Sequence, residues 1–361
     1  MKFDILLISG SILLFFACCS QSEKLDDKPI NQYQVIGSHN SYKEAIDPAL
    51  LDSLKNMGLN MDGLEYAHIP LSEQLDMGLR NLEIDVYADS RGGRYAHPKG
   101  LDLAPGQSPY NTDGIMNKPG FKVFHVTDID FRSSCPTLEI CLQQIKNWSD
   151  ANPGHFPVFI TLEVKGNIEG TAPQDERLTP SEKITAALFD KLDSAITAGL
   201  GEEKLITPDF VRGEYETLNE AITTGDWPTL KEAKGRFLFI LDDKGAKREL
   251  YLSGHPSLKG RVMFVNTEAG KPESAAMIRN NPEDTLIPEL VKQGYIIRTR
   301  ADANTVEARN NDYSRFEASC RSGAQIITTD YYKPGTFFDS SYHIAFKDST
   351  YTRKNLLFTE N

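Results

Sequence analysis

The sequence predicts an α/β fold of the (β/α)8 TIM-barrel type, and three observations carry that expectation. Short apolar runs rich in Val, Ile and Phe recur eight times, and segments with helical spacing lie between several of them. The chain of 361 residues exceeds the roughly 250 such a barrel typically needs, and no low-complexity block or Pro/Ser-rich linker divides it. Strands that alternate with helices pair in parallel, and eight such units close a barrel.

In chain order the strand candidates are "YQVIGSH" from Tyr33, "LRNLEIDVY" from Leu79, "FKVFH" from Phe121 and "FPVFITLEV" from Phe156, followed by "RFLFILDD" from Arg236, "RVMFVN" from Arg261, "YIIRTR" from Tyr295 and "AQIITTD" from Ala324. Helical spacing marks "TLEICLQQIKNWSDAN" from Thr137 and "SEKITAALFDKLDSAITAGL" from Ser181, where Ser181 is the expected N-cap. The surplus length falls to loops. The largest runs from Ala88 to Gly120, and its His97 is placed to overhang a site at the strand ends.

A net charge of −12 argues against a nucleic-acid partner, whose binding needs a basic face. At the start, Lys2 precedes an apolar run from Ile5 to Ala17, shorter than the roughly 18 residues of a membrane span, so it reads as the core of a signal peptide. Ala17 before Cys18 resembles the cleavage box of bacterial lipoproteins, with Cys18, or its neighbour Cys19, as the lipidated residue. The expected organisation is a signal peptide over 1–18, a polar tether over 19–31, a catalytic domain over 32–340 and an extension over 341–361. The protein is then an exported, membrane-anchored lipoprotein. Cys135 and Cys141 either close a short disulfide or remain two half-buried thiols.

Barrel chemistry is placed at the C-terminal ends of the strands. The first candidate ends on His39 and Asn40, the second carries Glu83 and Asp85, the third ends in His125, and the fourth in Glu163 and Lys165. Residues two apart on a strand share a face, so Glu83 points with Asp85 and Glu163 with Lys165. If that face is the barrel interior, three carboxylates converge. Two like charges about 4 Å apart cost on the order of 4 kcal/mol at an effective dielectric near 20, so the cluster calls for a cation or protons. With the Asn40 carbonyl, the set is all oxygen and suits Ca2+; Mg2+ also accepts oxygen, and zinc would draw on the histidines.

The order "SHNSY", "LEIDVY", "VFH" and "ITLE" resembles the catalytic X-half of Ca2+-dependent phosphoinositide-specific phospholipase C, most closely its single-domain bacterial members, from Gln32 to Tyr332. The resemblance implies a PLC-like phosphodiesterase barrel with His39 and His125 as catalytic histidines and Asn40, Glu83, Asp85 and Glu163 as calcium ligands. It implies a phosphatidylinositol-type substrate, cleaved to diacylglycerol and inositol phosphate by attack of the inositol 2-hydroxyl. Glu83 or Glu163 then takes the proton, and His125 is favoured as the acid. "IIRTRADANT" and "SGAQIITTDYY" look like the closing strands of the bacterial group and offer Arg300 and Tyr331 as substrate contacts. Lys165 either holds phosphate or balances the acidic cluster, and one of Arg298 and Arg300 forms a structural ion pair. The expected partners are an inositol phospholipid and, through the lipid anchor, a membrane surface, with the protein a monomer.

The remaining histidines, His68, His155, His255 and His343, read as surface or capping residues. Two other readings compete. Glycerophosphodiester phosphodiesterases share barrel, metal and histidines but open on His-Arg-Gly, where this chain has His39-Asn40-Ser41. A surface lipoprotein binding lipid or glycan without turnover would not need the intact acid, amide and imidazole positions.

Overall fold

Eight parallel strands close a barrel in the order β1 (Tyr33–Ser38), β2 (Asn81–Asp89), β4 (Val158–Lys165), β5 (Phe237–Leu241), β6 (Phe264–Val265), β7 (Ala276–Ile278), β8 (Ile296–Arg300) and β9 (Ile326–Thr329), and β9 returns to β1. A single parallel bridge, Asn266 to Ala276, spans β6 and β7. The computed structural model describes residues 26–168 and 177–358. The main apolar core lies between the barrel strands and the helices packed on them, such as Leu138–Ala151 and Ala186–Leu200. The second of these helices is capped by Thr185, whose side chain accepts from the Leu188 N–H, and not by Ser181.

One strand was misassigned and one was missed. The run "FKVFH" forms β3 (Gly120–Val123), which pairs antiparallel with the end of β2, from Val86 with Val123 to Asp89 with Gly120. It is a hairpin arm outside the barrel, because an apolar run signals burial and not direction. The missing barrel strand is β7, three residues long and below the length at which a periodic pattern can be read. The hairpin still serves the site: it turns the chain back so that His125 follows β3 close to Asp85 rather than ending a barrel strand of its own.

Both ends of the domain extend beyond the expected limits. Cys18, the signal segment and most of the tether lie outside the described residues, but Ile30 is buried in the main core and the Ile30 N–H donates to Pro228. The stretch 26–31 is thus docked on the barrel. At the other end, Tyr342, Ile344 and Phe346 are buried, and β10 (Thr352–Lys354) pairs antiparallel with β1. The region 341–358 is therefore part of the domain. Cys135 and Cys141 form a disulfide at the start of the Leu138–Ala151 helix. No helix among the described residues is long and apolar enough to cross a membrane.

Gly37 explains a glycine inside an apolar strand. The only paired residues of β1 and β2 are Gly37 and Asn81, and a Cβ on Gly37 would lie 2.3 Å from the Asn81 Cβ and 2.4 Å from its carbonyl oxygen. Gly37→Ala should therefore destabilise the fold by about 1–3 kcal/mol, the usual cost of overpacking, read as a lower urea midpoint.

Candidate functional site

The end of β1 is stitched to β2 before any side chain reaches the mouth. Asn40 sits at φ 49°, in the left-handed region that asparagine tolerates, and turns the chain out of the strand. The Ser41 N–H then donates to the Glu83 carbonyl at 2.9 Å, and the Glu83 N–H donates to the Ser41 hydroxyl at 2.7 Å. Small residues at this point let two backbones meet, and the exchange places Glu83 beside His39, whose Nε2 lies 3.5 Å from Glu83 Oε1.

His39 is held on both nitrogens. Nδ1 contacts Asp330 Oδ1 at 2.8 Å, and Arg300 bridges to both partners, 3.1 Å from His39 Nε2 and 2.8 Å from Asp330 Oδ2. An arginine can only donate, so Nε2 carries the lone pair and Nδ1 donates to Asp330. Burial, followed by Arg300, holds the imidazole below its usual range. Asp330 is itself anchored, its N–H donating to the buried Asp302 at 2.8 Å. Burial, and then Asp330, pushes the Asp302 carboxyl up to about 7.

His125 has a parallel arrangement on the hairpin side. Its Nδ1 lies 2.9 Å from Asp130 Oδ2, and the Tyr87 hydroxyl donates to its carbonyl at 3.0 Å. Behind Asp130 stands Lys43, wholly buried, with its ammonium 3.3 Å from Asp130 Oδ1 and donating to the carbonyls of Tyr66 at 2.8 Å and Leu64 at 3.1 Å. Lys43 thereby joins the turn that carries His125 to the loop that contacts His39 and Asn40: Tyr66 accepts from Asn40 at 2.7 Å, and His68 binds the His39 carbonyl at 2.7 Å. The side chains of His39 and His125 remain 18% and 19% exposed, enough to meet a ligand from the mouth.

The acidic set gathers as strand parity required. Asp85 pairs in register with Glu163 across β2 and β4, and the Lys165 ammonium lies 3.0 Å from Asp85 and 2.7 Å from Glu163. Arg298, buried at the far side of the barrel, forms an ion pair with Glu83. Burial drives the Glu83 carboxyl up, but Arg298, with His39 and Arg300, holds it net below its usual range. Asp85 goes the other way: burial raises it to about 6, and Glu163 and Glu83 add to the rise against the pull of Lys165.

These residues fit a hard divalent cation. Both carboxylate oxygens of Asp85 are buried without a hydrogen-bond partner, Glu83 and Glu163 flank it, and the Asn40 carbonyl oxygen receives only a long 3.4 Å bond from the Tyr42 hydroxyl. Among the described residues no three acidic, histidine or cysteine side chains stand ready as a closed metal cage. Lys165 is shared by Asp85 and Glu163 in this arrangement, and its role as their counter-charge is the one the geometry displays.

Of the weaker candidates, Arg300 reaches the mouth and Tyr331 does not. Tyr331 is 2% exposed in a second apolar cluster, its hydroxyl donating to the Glu65 carbonyl at 3.1 Å; the neighbouring residue that reaches His39 is Asp330. His97 pairs with Asp102 on the surface. His68 and His155 are buried rather than superficial. Sequence reasoning passed over Asp130, Asp330 and Asp242. Asp242 follows β5 at the same mouth, where burial raises its carboxyl to about 7, Arg298 opposing and Glu83 and Glu163 adding. The signal was present for two of them: "FILDD" and "IITTD" each end a strand on Asp, as "ITLE" ends one on Glu.

Comparison with known proteins gives a family and a fold. The family model described as phosphoinositide phospholipase C, Ca2+-dependent, matches residues 29–356. Among solved structures, the chain is similar to a calcium-dependent phosphoinositol-specific phospholipase C from a Pseudomonas species, at 18% identity and a TM-score of 0.54, covering 92% of this chain and 97% of that one. It is also similar to a Ca2+-dependent phosphatidylinositol-specific phospholipase C from Streptomyces antibioticus, at 17% identity and a TM-score of 0.54, covering 84% and 95%. At such identities the structural likeness speaks for the barrel. Comparison with curated proteins gives no match.

Lys43→Met would leave Asp130 buried beneath His125 without its cationic partner. A loss of about 3–5 kcal/mol in unfolding free energy is expected, measured by chemical denaturation against the parent protein.

Proposed function

The chain belongs to the Ca2+-dependent phosphoinositide phospholipase C family of phosphoric diester hydrolases, and from that premise we propose that it cleaves phosphatidylinositol-type lipids to diacylglycerol and inositol phosphate through His39 and His125. One observation carries the assignment. Two imidazoles, each held through Nδ1 by a buried aspartate, stand part-exposed at the mouth that also holds Glu83, Asp85 and Glu163.

Asn40, Glu83, Asp85 and Glu163 are the residues that would hold calcium. When bound, the ion supplies positive charge that offsets the negative charge developing on the attacking and phosphoryl oxygens. Glu163 is the better proton acceptor for the inositol 2-hydroxyl. Its side chain is 35% exposed and only one of its oxygens is engaged, by Lys165, whereas Glu83 is engaged by Arg298. As the 2-oxygen bonds to phosphorus, the bond to the glycerol oxygen breaks, and His125 delivers its Nε2 proton to that departing oxygen. Asp130, in contact with Nδ1, holds the ring so that Nε2 is the nitrogen left to face that oxygen. His39 and Arg300 face the phosphoryl oxygens, with Asp330 fixing both. Water opens the resulting cyclic phosphate with His125 now acting as base.

The N-terminal residues support export as a lipoprotein anchored through Cys18, acting as a monomer at the membrane that carries its substrate. The Cys135–Cys141 disulfide suits an oxidising compartment.

His39→Ala and His125→Ala should each lower turnover of phosphatidylinositol by about 10²- to 10⁴-fold in protein that still unfolds cooperatively, followed by phosphorus NMR of the products. Full turnover in either variant removes that histidine from the reaction. Calcium at a hundred times its dissociation constant should stabilise the parent protein by about 2.7 kcal/mol, and Asp85→Asn should abolish that shift along with chelator-sensitive activity.

A further inference from the structure

The turn that carries the chain out of β9 is gripped by one side chain, Asp302, which follows β8. These strands pair in register from Arg298 with Ile326 to Arg300 with Thr328, so the residue two past Arg300 arrives beside Asp330. Asp302 is wholly buried. Its Oδ1 accepts the Asp330 N–H at 2.8 Å, and its Oδ2 accepts the Thr329 hydroxyl. The Thr329 hydroxyl oxygen in turn accepts the Tyr331 N–H at 2.8 Å. From the segment 341–358, the Tyr342 hydroxyl lies 3.2 Å from the Ala301 carbonyl oxygen and 3.4 Å from Asp302 Oδ2.

That turn touches His39 twice. The His39 N–H donates to the Thr329 carbonyl at 3.1 Å, and His39 Nδ1 donates to Asp330 Oδ1 at 2.8 Å. We propose that Asp302 is a positioning residue for His39, which it sets in place through its hydrogen bonds to Thr329 and Asp330. Asp302 itself reaches no ligand, because it has no exposed surface.

Joining two strand ends would not by itself call for an acid. A buried carboxylate is costly without a cation, and among the described residues Asp302 has no ion pair, Arg300 giving its own to Asp330. What the carboxylate adds is two acceptors on one rigid group, with charge-assisted bonds roughly twice as strong as neutral ones. One oxygen holds the backbone of Asp330 and the other the side chain of Thr329, so the peptide between them is fixed at both residues. The imidazole that depends on this peptide must stay in register with the phosphorus, and a misplacement of about 1 Å can cost a reaction about a hundredfold.

A residue that only holds the fold together lowers stability and leaves the chemistry of the folded fraction alone. A residue that works through Asp330 lowers the rate of folded protein, and its influence vanishes once Asp330 no longer holds His39. The kinetic part of this assignment rests on the inositol-lipid reading above; the placement of the His39 ring does not.

In the full chain, with phosphatidylinositol as substrate, Asp302→Ala should lower kcat and kcat/KM together by about ten- to a hundredfold. Asp302→Asn, which keeps an acceptor for the Asp330 N–H, should recover most of that loss. The double variant Asp302→Ala with Asp330→Asn should be no slower than Asp330→Asn alone. In protein labelled with ¹⁵N in histidine, the Nδ1–H signal of His39, identified by its absence from His39→Ala, should be present in the parent and in Asp302→Asn and exchange away in Asp302→Ala. Should Asp302→Ala not fold, Thr329→Val, which removes the hydroxyl that Oδ2 holds, carries the same expectations for kcat, for the double variant and for the His39 signal. An unchanged kcat, a loss seen only in KM, an Asp302→Asn variant as slow as Asp302→Ala, a double variant slower than Asp330→Asn, or an undiminished His39 signal overturns the proposal. If the parent protein cleaves no inositol lipid, the function proposed above fails, and the His39 signal alone decides for or against Asp302.

Discussion

Charge compensation in a mouth shielded from water is the constraint on which the site depends. Glu83, Asp85, Asp130 and Asp330 are all at most 4% exposed, and an ionised carboxylate in such a place is tolerated only against a cation or several donors. Each one has its counter-charge: Arg298 for Glu83, Lys165 for Asp85, Lys43 for Asp130 and Arg300 for Asp330. Asp85 is the least satisfied, since its oxygens take no hydrogen bond and its carboxyl is raised to about 6. That imbalance is what makes it the natural centre of a site for a divalent ion.

The same pairs position the two imidazoles. His39 and His125 are each held by an aspartate that is itself tied to a basic side chain, so neither ring can turn without losing its hydrogen bond to a carboxylate fixed by a buried ion pair. Lys43 couples the two halves, because its ammonium touches Asp130 on one side and the carbonyls of the Tyr66 loop on the other. The backbone exchange between Ser41 and Glu83 does the corresponding work for the first histidine and the acidic set. The rigidity that chemistry requires is thus built from interactions that folding also requires.

Much of this was legible in one chain. The eight-fold rhythm of apolar runs pointed to the barrel, and parity on "LEIDVY" and "TLEVK" placed Glu83 with Asp85 and Glu163 with Lys165, as the register of β2 and β4 bears out. What failed were assignments in which the pattern is silent on direction or partner. "FKVFH" is apolar because it is half covered, yet it runs antiparallel outside the barrel. Tyr331 ends the last strand as its neighbour Asp330 does, but the chain turns one ring into the core and the other carboxylate to His39. His68 looked solitary because the His39 carbonyl and Tyr332 ring that surround it are 29 and 264 residues away in sequence.

By itself the sequence determined the barrel class, the faces that carry acid side chains, and the histidine, asparagine and carboxylate types at the strand ends, since all of these follow from local spacing and residue chemistry. Tertiary structure alone decided which basic group neutralises which acid, which histidine is backed by which aspartate, and that the stretches 26–31 and 341–358 belong to the domain. The reason is physical. Periodicity fixes where a side chain points relative to its neighbours on one strand, but a Coulomb or hydrogen-bond partner is set by distance in space, and here those partners arrive from opposite sides of a closed barrel.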